Sequence, residues 1–438
     1  MRRILGVLLL APAALAAQAP GDSARPISLD EAVRLAQRNA PAAVQARGTE
    51  RTSRAAVRSA YAAFIPSLNL NASSGWQEGT TIVAGSVVQL NRDPWNFTNG
   101  ISANLELFDG GRRLYELRQA RANVSAAESN EIAQRFGVAL DVKEQFYNVL
   151  AARESEAAAR AQLEQAEQQL RAATARVAAG VATKSDSLRT VILVGNGQLA
   201  LLTAQNNVRA ANAALTRLVG TTFEVTASPA DTLDQLFTAL DSADLARFAD
   251  TGPAVRQAEA NVTAARAAVR ASRTPYLPNI SVSANYSGNL AGSGFSAGDA
   301  IVFANSTYPS QKSIRFNFSY PLFNQLSREE QIARTSVSRD VAEAQLRDAR
   351  LAARQNLVQY LGALRTADQR VAIQQASVAA AEEDLRVQQQ RYSLGASTLL
   401  DLLTSQTQLD EARAALIQAR YDYRVAKAQL EALVGREL

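Results

Sequence analysis

Four stretches of this chain alternate apolar and polar residues with the period of two that a β-strand adopts when its two faces meet different surroundings. Leu68, Leu70, Ala72 and Trp76 share one face against Ser67, Asn69, Asn71 and Ser73, while Ile101, Ala103, Leu105 and Leu107 oppose Ser102, Asn104 and Glu106. A second pair repeats the device: Ile280, Val282, Ala284 and Tyr286 against Ser281, Ser283 and Asn285, then Ile314, Phe316, Phe318 and Tyr320 against Arg315, Asn317 and Ser319. Each stretch is about ten residues, the span of a tilted membrane strand with one lipid face and one wet face. Between the strands, Gln77 to Asn96 and Gly288 to Lys312 are rich in Gly, Ser, Asn and Thr and read as exposed loops.

Elsewhere the period is helical. Ser28-Leu29-Asp30-Glu31 is a capping box that opens a helix to about Asn39, and Pro41 starts the next helix, which ends near Phe64-Ile65-Pro66. From Asp109 to Gly180 scarcely a breaker interrupts Ala, Arg, Glu, Gln and Leu, and a helix of that length would reach about 105 Å. After Gly395, Leu402, Leu409, Leu416, Tyr423 and Leu430 fall seven apart, with Ser405, Ala412, Ala419, Ala426 and Leu433 as a second row. The corresponding rows earlier are Ser187, Val194, Leu201, Val208 and Leu215, and Thr190, Gly197, Ala204, Ala211 and Leu218. Large residues alternate with small ones, so Gly197 marks close helix approach; Gly195 belongs to neither row.

The second half rewrites the first. Leu107-Phe108 recurs as Leu322-Phe323, Gly180 as Gly395, Asp186 as Asp401 and Leu218-Val219-Gly220 as Leu433-Val434-Gly435, all about 215 positions apart. Upstream the offset is about 212, pairing Pro41 and Pro66 with Pro253 and Pro278. This predicts a first repeat over 20–220, with a β-hairpin at about 67–108 and a long helical hairpin at about 109–220. A collar or linker covers 221–252, with a short helical pattern around Leu233 to Leu240. The second repeat covers 253–438, with a β-hairpin at about 279–323 and a helical hairpin at about 324–435.

Composition narrows the chemistry. Among 438 residues there is no His and no Cys, which removes imidazole bases, thiolate nucleophiles and disulfides and leaves no zinc-ligand pattern. No acid/base constellation or phosphate loop appears, so the chain is expected not to be an enzyme and to need no cofactor or metal. Met1-Arg2-Arg3, the apolar run Ile4 to Leu15 and the small residues to Ala19 form an expected signal peptide at 1–19. The net charge is +5, with basic and acidic residues interleaved along helices, so nucleic acid is not an expected partner.

Four amphipathic strands cannot close a barrel, because bacterial barrels begin at about eight strands and an open edge cannot face lipid. Copies must pool strands, most simply three chains giving twelve. The predicted fold is therefore mixed but mainly α and internally duplicated, a long antiparallel coiled-coil barrel joined to a β-barrel. Both helical tips carry one spacing, Gly180, Val181, Ala182, Thr183 and Asp186 matching Gly395, Ala396, Ser397, Thr398 and Asp401. Glycine ends the outgoing helix, threonine caps the incoming one, and aspartate closes a capping box. Tip carboxylates gathered about an axis would also form a cation-favouring ring.

In its motifs the chain resembles the TolC-like outer-membrane efflux factors. The likeness spans nearly the whole mature chain and rests on Ser28-Leu29-Asp30-Glu31-Ala32-Val33, Pro66-Ser67-Leu68-Asn69-Leu70, Leu107-Phe108-Asp109-Gly110-Gly111-Arg112, Pro321-Leu322-Phe323, and Arg391-Tyr392-Ser393-Leu394-Gly395 leading to Leu400-Asp401-Leu402-Leu403. The resemblance implies a trimeric exit duct in the outer membrane, extending into the periplasm and serving a tripartite efflux or type I secretion system. Its implied partners are sister copies, outer-membrane lipid, a periplasmic adaptor and an inner-membrane pump. By the same likeness Asp401, Asp186 and Tyr392 form the periplasmic entrance, with the tyrosine bonded to Asp186. Gly180, Val181, Ala182, Thr183, Gly395, Ala396 and Ser397 would dock the adaptor. The chain departs from the family at Ser397, where the entrance latch has arginine, at Thr404, where a second constricting aspartate stands, and at Asn324-Gln325, where the first copy has Gly-Gly. The rival expectation is a periplasmic coiled-coil or adaptor protein without a pore, which would leave the four strands without a purpose.

Overall fold

The computed structural model describes residues 24–76, 80–83, 86–89, 95–228, 242–291 and 310–438. The expected signal peptide, parts of both expected loops and the expected short helix around Leu233 to Leu240 lie outside the described residues. The elements in chain order are β1 (Arg25–Ile27), α1 (Leu29–Asn39), α2 (Pro41–Ala62), β2 (Ser67–Trp76), β3 (Thr80–Val83), β4 (Ser86–Gln89), β5 (Trp95–Phe108), α3 (Arg112–Ala178), α4 (Lys184–Val219), β6 (Val225–Ala227), α5 (Ser242–Asp250), α6 (Pro253–Ser272), β7 (Asn279–Ala291), β8 (Ser310–Ser319), α7 (Ser327–Ser393) and α8 (Leu399–Val434). The chain forms two compact units, one from 1–39, 141–235 and 367–425, the other from 40–140, 236–366 and 426–438. Each unit takes segments from both repeats.

The second of these units holds the predicted strands as one antiparallel sheet in the order β2-β5-β7-β8, so the two hairpins join through β5 and β7. Register stacks the apolar positions across all four strands: Leu70 opposite Ile101, Ile101 opposite Tyr286, Ala284 opposite Ile314, Val282 opposite Phe316. Among the described residues nothing covers the outer part of that face, and Phe316 is 74% exposed and Phe318 70%. The pairing slips between Glu106 and Phe108, and Phe108 stands opposite Ile280, so Leu107 is the extra residue of a bulge rather than the next step of the alternation. The first predicted loop also contains structure, a small antiparallel hairpin of β3 with β4, and β5 begins at Trp95, inside that loop.

At the start of α3 the strand-to-helix turn is fixed by charge. Asp109 accepts from the Gly111 and Arg113 backbone N–H groups at 3.1 and 3.0 Å, and its carboxylate meets Arg113 Nε at 2.9 Å in a buried pair. Arg113 also donates to the Ala63 carbonyl and lies 5.1 Å over the Phe64 ring, which ties this turn to the end of α2. Gly110 and Gly111 take φ of +66° and +81°, and a Cβ on Gly110 would sit 2.6 Å from that of Leu277. In the second copy the left-handed pair is Gln325 and Leu326, at φ 58° and 60°, one residue beyond the Asn324-Gln325 expected from the sequence.

In the first unit α1 packs on α4 and α4 on β6, and Ala32 and Ala36 of α1, Leu215 and Val219 of α4 and Val225 of β6 are buried, as is Phe146 of α3. The Ser28 hydroxyl accepts from Glu31 N–H at 3.3 Å, as its spacing predicted. β1 and β6, unforeseen, pair in parallel from Arg25 opposite Val225 to Ile27 opposite Ala227. Of the expected heptad rows, the small-residue row of α4 is buried at Thr190, Gly197, Ala204 and Ala211, while Ser187, Val194, Leu201 and Val208 of its other row are half-buried; on α8 Leu402, Ser405, Leu409, Ala419 and Tyr423 are buried and Ala412 and Leu416 half-buried. Gly197 answers its expected role, since a Cβ there would lie 3.3 Å from the Leu163 Cα.

Gly110→Ala is expected to cost about 2 kcal/mol or more, because it combines a left-handed backbone with a collision. Gln325→Gly at the matching position, where side-chain strain is relieved against glycine's greater entropy, is expected to be neutral or stabilising by up to about 1 kcal/mol. Thermal unfolding of the detergent-solubilised protein measures both, and a Gly110→Ala protein as stable as its parent would contradict the assignment of strain.

Candidate functional site: the helical tips

Both tips fold by one local mechanism. Gly180 ends α3 at φ +74°, with its N–H bonded to the Val177 carbonyl at 3.0 Å and the Val181 N–H bonded to Arg176 at 3.0 Å. Gly395 ends α7 at φ +75°, with its N–H on Tyr392 at 3.1 Å and Ala396 N–H on Arg391 at 2.8 Å. These are two Schellman turns, in which glycine supplies the left-handed residue and the paired backbone bonds satisfy the last carbonyls of the helix.

The incoming helices are capped alike. Asp186 Oδ2 accepts from the Thr183 N–H at 3.1 Å and hydroxyl at 2.8 Å, while Thr183 Oγ1 accepts from Asp186 N–H at 3.3 Å. The Asp401 carboxylate accepts from Thr398 N–H at 2.9 Å and its hydroxyl at 2.8 Å, and the Thr398 hydroxyl accepts from Asp401 N–H at 3.2 Å. The Thr183 hydroxyl and backbone bonds hold the Asp186 carboxyl below its ordinary value, and for Asp401 the Thr398 backbone bond leads, followed by the hydroxyl. Both carboxylates are therefore ionised across the neutral range.

The structure also brings together groups that sequence spacing did not. The Arg176 guanidinium lies 4.5 Å over the Tyr392 ring, and its Nη2 donates to the Tyr392 carbonyl at 3.4 Å, so the outgoing helices of the two hairpins meet at their ends. The ring also packs on the buried leucines Leu385, Leu399, Leu402 and Leu409. Within one chain, then, Asp186 is engaged by Thr183 and Tyr392 by Arg176. Val181 is exposed, whereas Ser397 carries its hydroxyl oxygen buried and without a hydrogen-bond partner. Thr404 turns its hydroxyl back to the Leu400 carbonyl at 2.9 Å. Further from the tips, Gln406 donates to Gln165 at 2.9 Å and Gln162 to Asp410 at 2.8 Å, a polar seam between α8 and α3. Burial raises the Asp410 carboxyl.

No described helix is long and apolar enough to cross a membrane, and the fold combines a β-sheet that has one continuous apolar face with long helical hairpins. This combination defines a class of outer-membrane channels with helical extensions. The chain belongs to the outer membrane efflux protein family, whose model matches residues 32–221 and 248–436. It is 28% identical over 345 residues to the pyoverdine export outer membrane protein OpmQ of Pseudomonas aeruginosa, covering 78% of this chain and 69% of that one. Its fold is similar to that of CusC, with a TM-score of 0.77, 18% identity and 94% of each chain covered. It is similar also to the open-state MtrE channel of Neisseria gonorrhoeae, with a TM-score of 0.75, 20% identity and 93% and 89% of the two chains covered. The protein is thus an efflux channel of the outer membrane, extending into the periplasm.

Because both tip carboxylates have lowered pKa values, the stability they confer is present above the ordinary aspartate range and is lost as pH falls through the lower folded values. Amide protection of the first turns of α4 and α8, corrected for intrinsic exchange, is expected to fall below about pH 3.9. Asp186→Asn should remove that pH dependence from α4 alone, and protection that is flat with pH in the parent protein would contradict it.

Proposed function

We propose that three copies of this chain form a twelve-stranded barrel continued by a helical tunnel, through which cargo passes passively to the exterior. The observation that carries it is the open four-stranded sheet, apolar along one face and unpaired at β2 and β8. In hydrocarbon no water is present to satisfy those edge N–H and C=O groups, so each edge must pair with that of a sister copy. The polar face, carrying Asn69, Asn71, Asn104, Arg315 and Asn317, would line the wet interior.

The expected repeats, with a collar between them, supply one β-hairpin and one helical hairpin each to this assembly. Asp401, Asp186 and Tyr392 guard the periplasmic entrance in this proposal. Their carboxylates, ionised at neutral pH, favour cations there. Gly180, Val181, Ala182, Thr183, Gly395, Ala396 and Ser397 form the docking surface for a periplasmic adaptor, which in turn meets an inner-membrane pump. The family's arginine and second aspartate are replaced by Ser397 and Thr404, so the entrance of this protein is closed by fewer charges.

Sedimentation of the detergent-purified protein is expected to give a trimer, and a stable monomer that still inserts and conducts would overturn the assembly. In planar bilayers Asp401→Asn is expected to lower cation selectivity while leaving insertion intact. Unchanged selectivity would remove Asp401 from the entrance.

A further inference from the structure

One positive charge stands on the apolar face of the sheet. Along β8 that face carries Ser310, Lys312, Ile314, Phe316 and Phe318; Lys312 stands opposite Tyr286, and Tyr286 opposite Ile101. Glu106 and Arg315, the other charged residues of β2, β5, β7 and β8, fall on the polar face, in register with Ser281 and Ser283. Lys312 has no ion pair among the described residues, and its Nζ lies 5.7 Å from the centre of the Tyr286 ring.

A lysine on a lipid face is costly at the bilayer midplane and nearly free at its edge. The level of Lys312 agrees with the edge. The sheet joins the helices at Ser67, Phe108, Asn279 and Ser319, and the helices extend into the periplasm, so Ser310 marks the outer end of β8. Lys312 precedes Tyr320 by eight residues, which is about 26 Å of strand and about 20 Å of depth at a tilt of about 40°. With Tyr320 at the inner rim of an apolar band about 25 Å tall, Lys312 reaches the outer rim, where lipid headgroups begin.

Beside the lysine the face is hollow. One row nearer the membrane centre, register places Ala103 opposite Ala284 and Ala284 opposite Ile314, and the row beyond, Leu105, Val282 and Phe316, is large again. The result is an open groove of 540 Å³, floored by the two alanines, walled by Ile101 and Ile314, and headed by Tyr286 and Lys312. It is cationic at its outer end and apolar along the rest of its length.

We propose that this groove binds a phosphorylated lipid of the outer leaflet, its phosphate on the Lys312 ammonium and the first carbons of one acyl chain over Ala103 and Ala284. The occupant is a lipid because an unpaired ammonium at the head of an apolar hollow complements a ligand that is anionic at one end and greasy at the other. The outer end of β8 assigns the leaflet. The inference rests on the barrel reading proposed above, in which this face meets lipid, and adds which lipid class the face selects and where.

Bisphosphorylated lipid A and phosphatidylethanolamine are the probes, added to the full detergent-purified protein and counted as bound adducts by native mass spectrometry. Lipid A is expected to bind the more tightly. Lys312→Gln should weaken it about fivefold, while Lys312→Arg retains it. Ala284→Phe, which fills the hollow and keeps the charge, should weaken it as well, and Arg315→Gln on the polar face should leave it unchanged. Lipid A held as tightly by Lys312→Gln or by Ala284→Phe as by the parent, or no more tightly than phosphatidylethanolamine, overturns the site while leaving the channel reading intact. Weakening by Arg315→Gln and not by Lys312→Gln would turn the polar face to lipid and overturn both.

Discussion

In hydrocarbon, a peptide N–H or C=O without a partner has no water to turn to, and each such group left unmet costs several kcal/mol. Everything distinctive about this chain follows from how it meets that constraint. The β2-β5-β7-β8 sheet satisfies its interior backbone and leaves two edges for which the described residues supply no strand. A soluble protein would cover the apolar face with helices. Here Leu68, Leu70, Ile314, Phe316 and Phe318 remain bare, which fits a face turned to lipid. In the first unit, Gly197 of α4 approaches Leu163 of α3, α3 bonds α8 through Gln162 and Gln165, and α8 bonds α7 through Ser405 and Arg413, so this run of helices, like the sheet, has a first-repeat element at one margin and a second-repeat element at the other. Duplication thus produces a protomer whose two sides differ, the condition for a ring rather than a closed pair.

The two repeats solve some local problems identically and others differently. Their tips are near copies, because a Schellman turn followed by a threonine and aspartate capping box depends only on residues within one short segment. The strand-to-helix junctions have diverged. The first uses Asp109, two left-handed glycines and a buried Arg113, and the second bends through Gln325 and Leu326 in the same backbone region. The glycine pair has to admit Leu277 and the Thr274 carbonyl close to Gly110, a crowding that rules out a side chain there. At the tips, the Ser397 hydroxyl oxygen is buried and unpartnered, while Arg176 stacks on Tyr392.

Strands, long helices, caps and the buried heptad rows could be read from the chain because each is written in a period or a short spacing: two for the pleat, seven for the helical seam, three for a capping box. Ser28 with Glu31, Thr183 with Asp186, and Gly197 among small residues needed no knowledge of distant segments. What could not be read involved partners remote in sequence or local irregularity. The β1 to β6 pairing joins three residues to three others across about 200 positions, too short for any pattern. The bulge at Leu107 breaks an alternation that the side chains alone continue, and the β3 and β4 hairpin hides in a polar stretch that composition marks as loop. By itself the sequence determined which faces are greasy and which are wet, since that depends only on side-chain chemistry at a fixed backbone period. Only the tertiary structure decided which faces find cover within one chain, as with Arg176 on Tyr392 and α3 on α8, and which stay open, because burial is a property of neighbours brought from elsewhere in the chain.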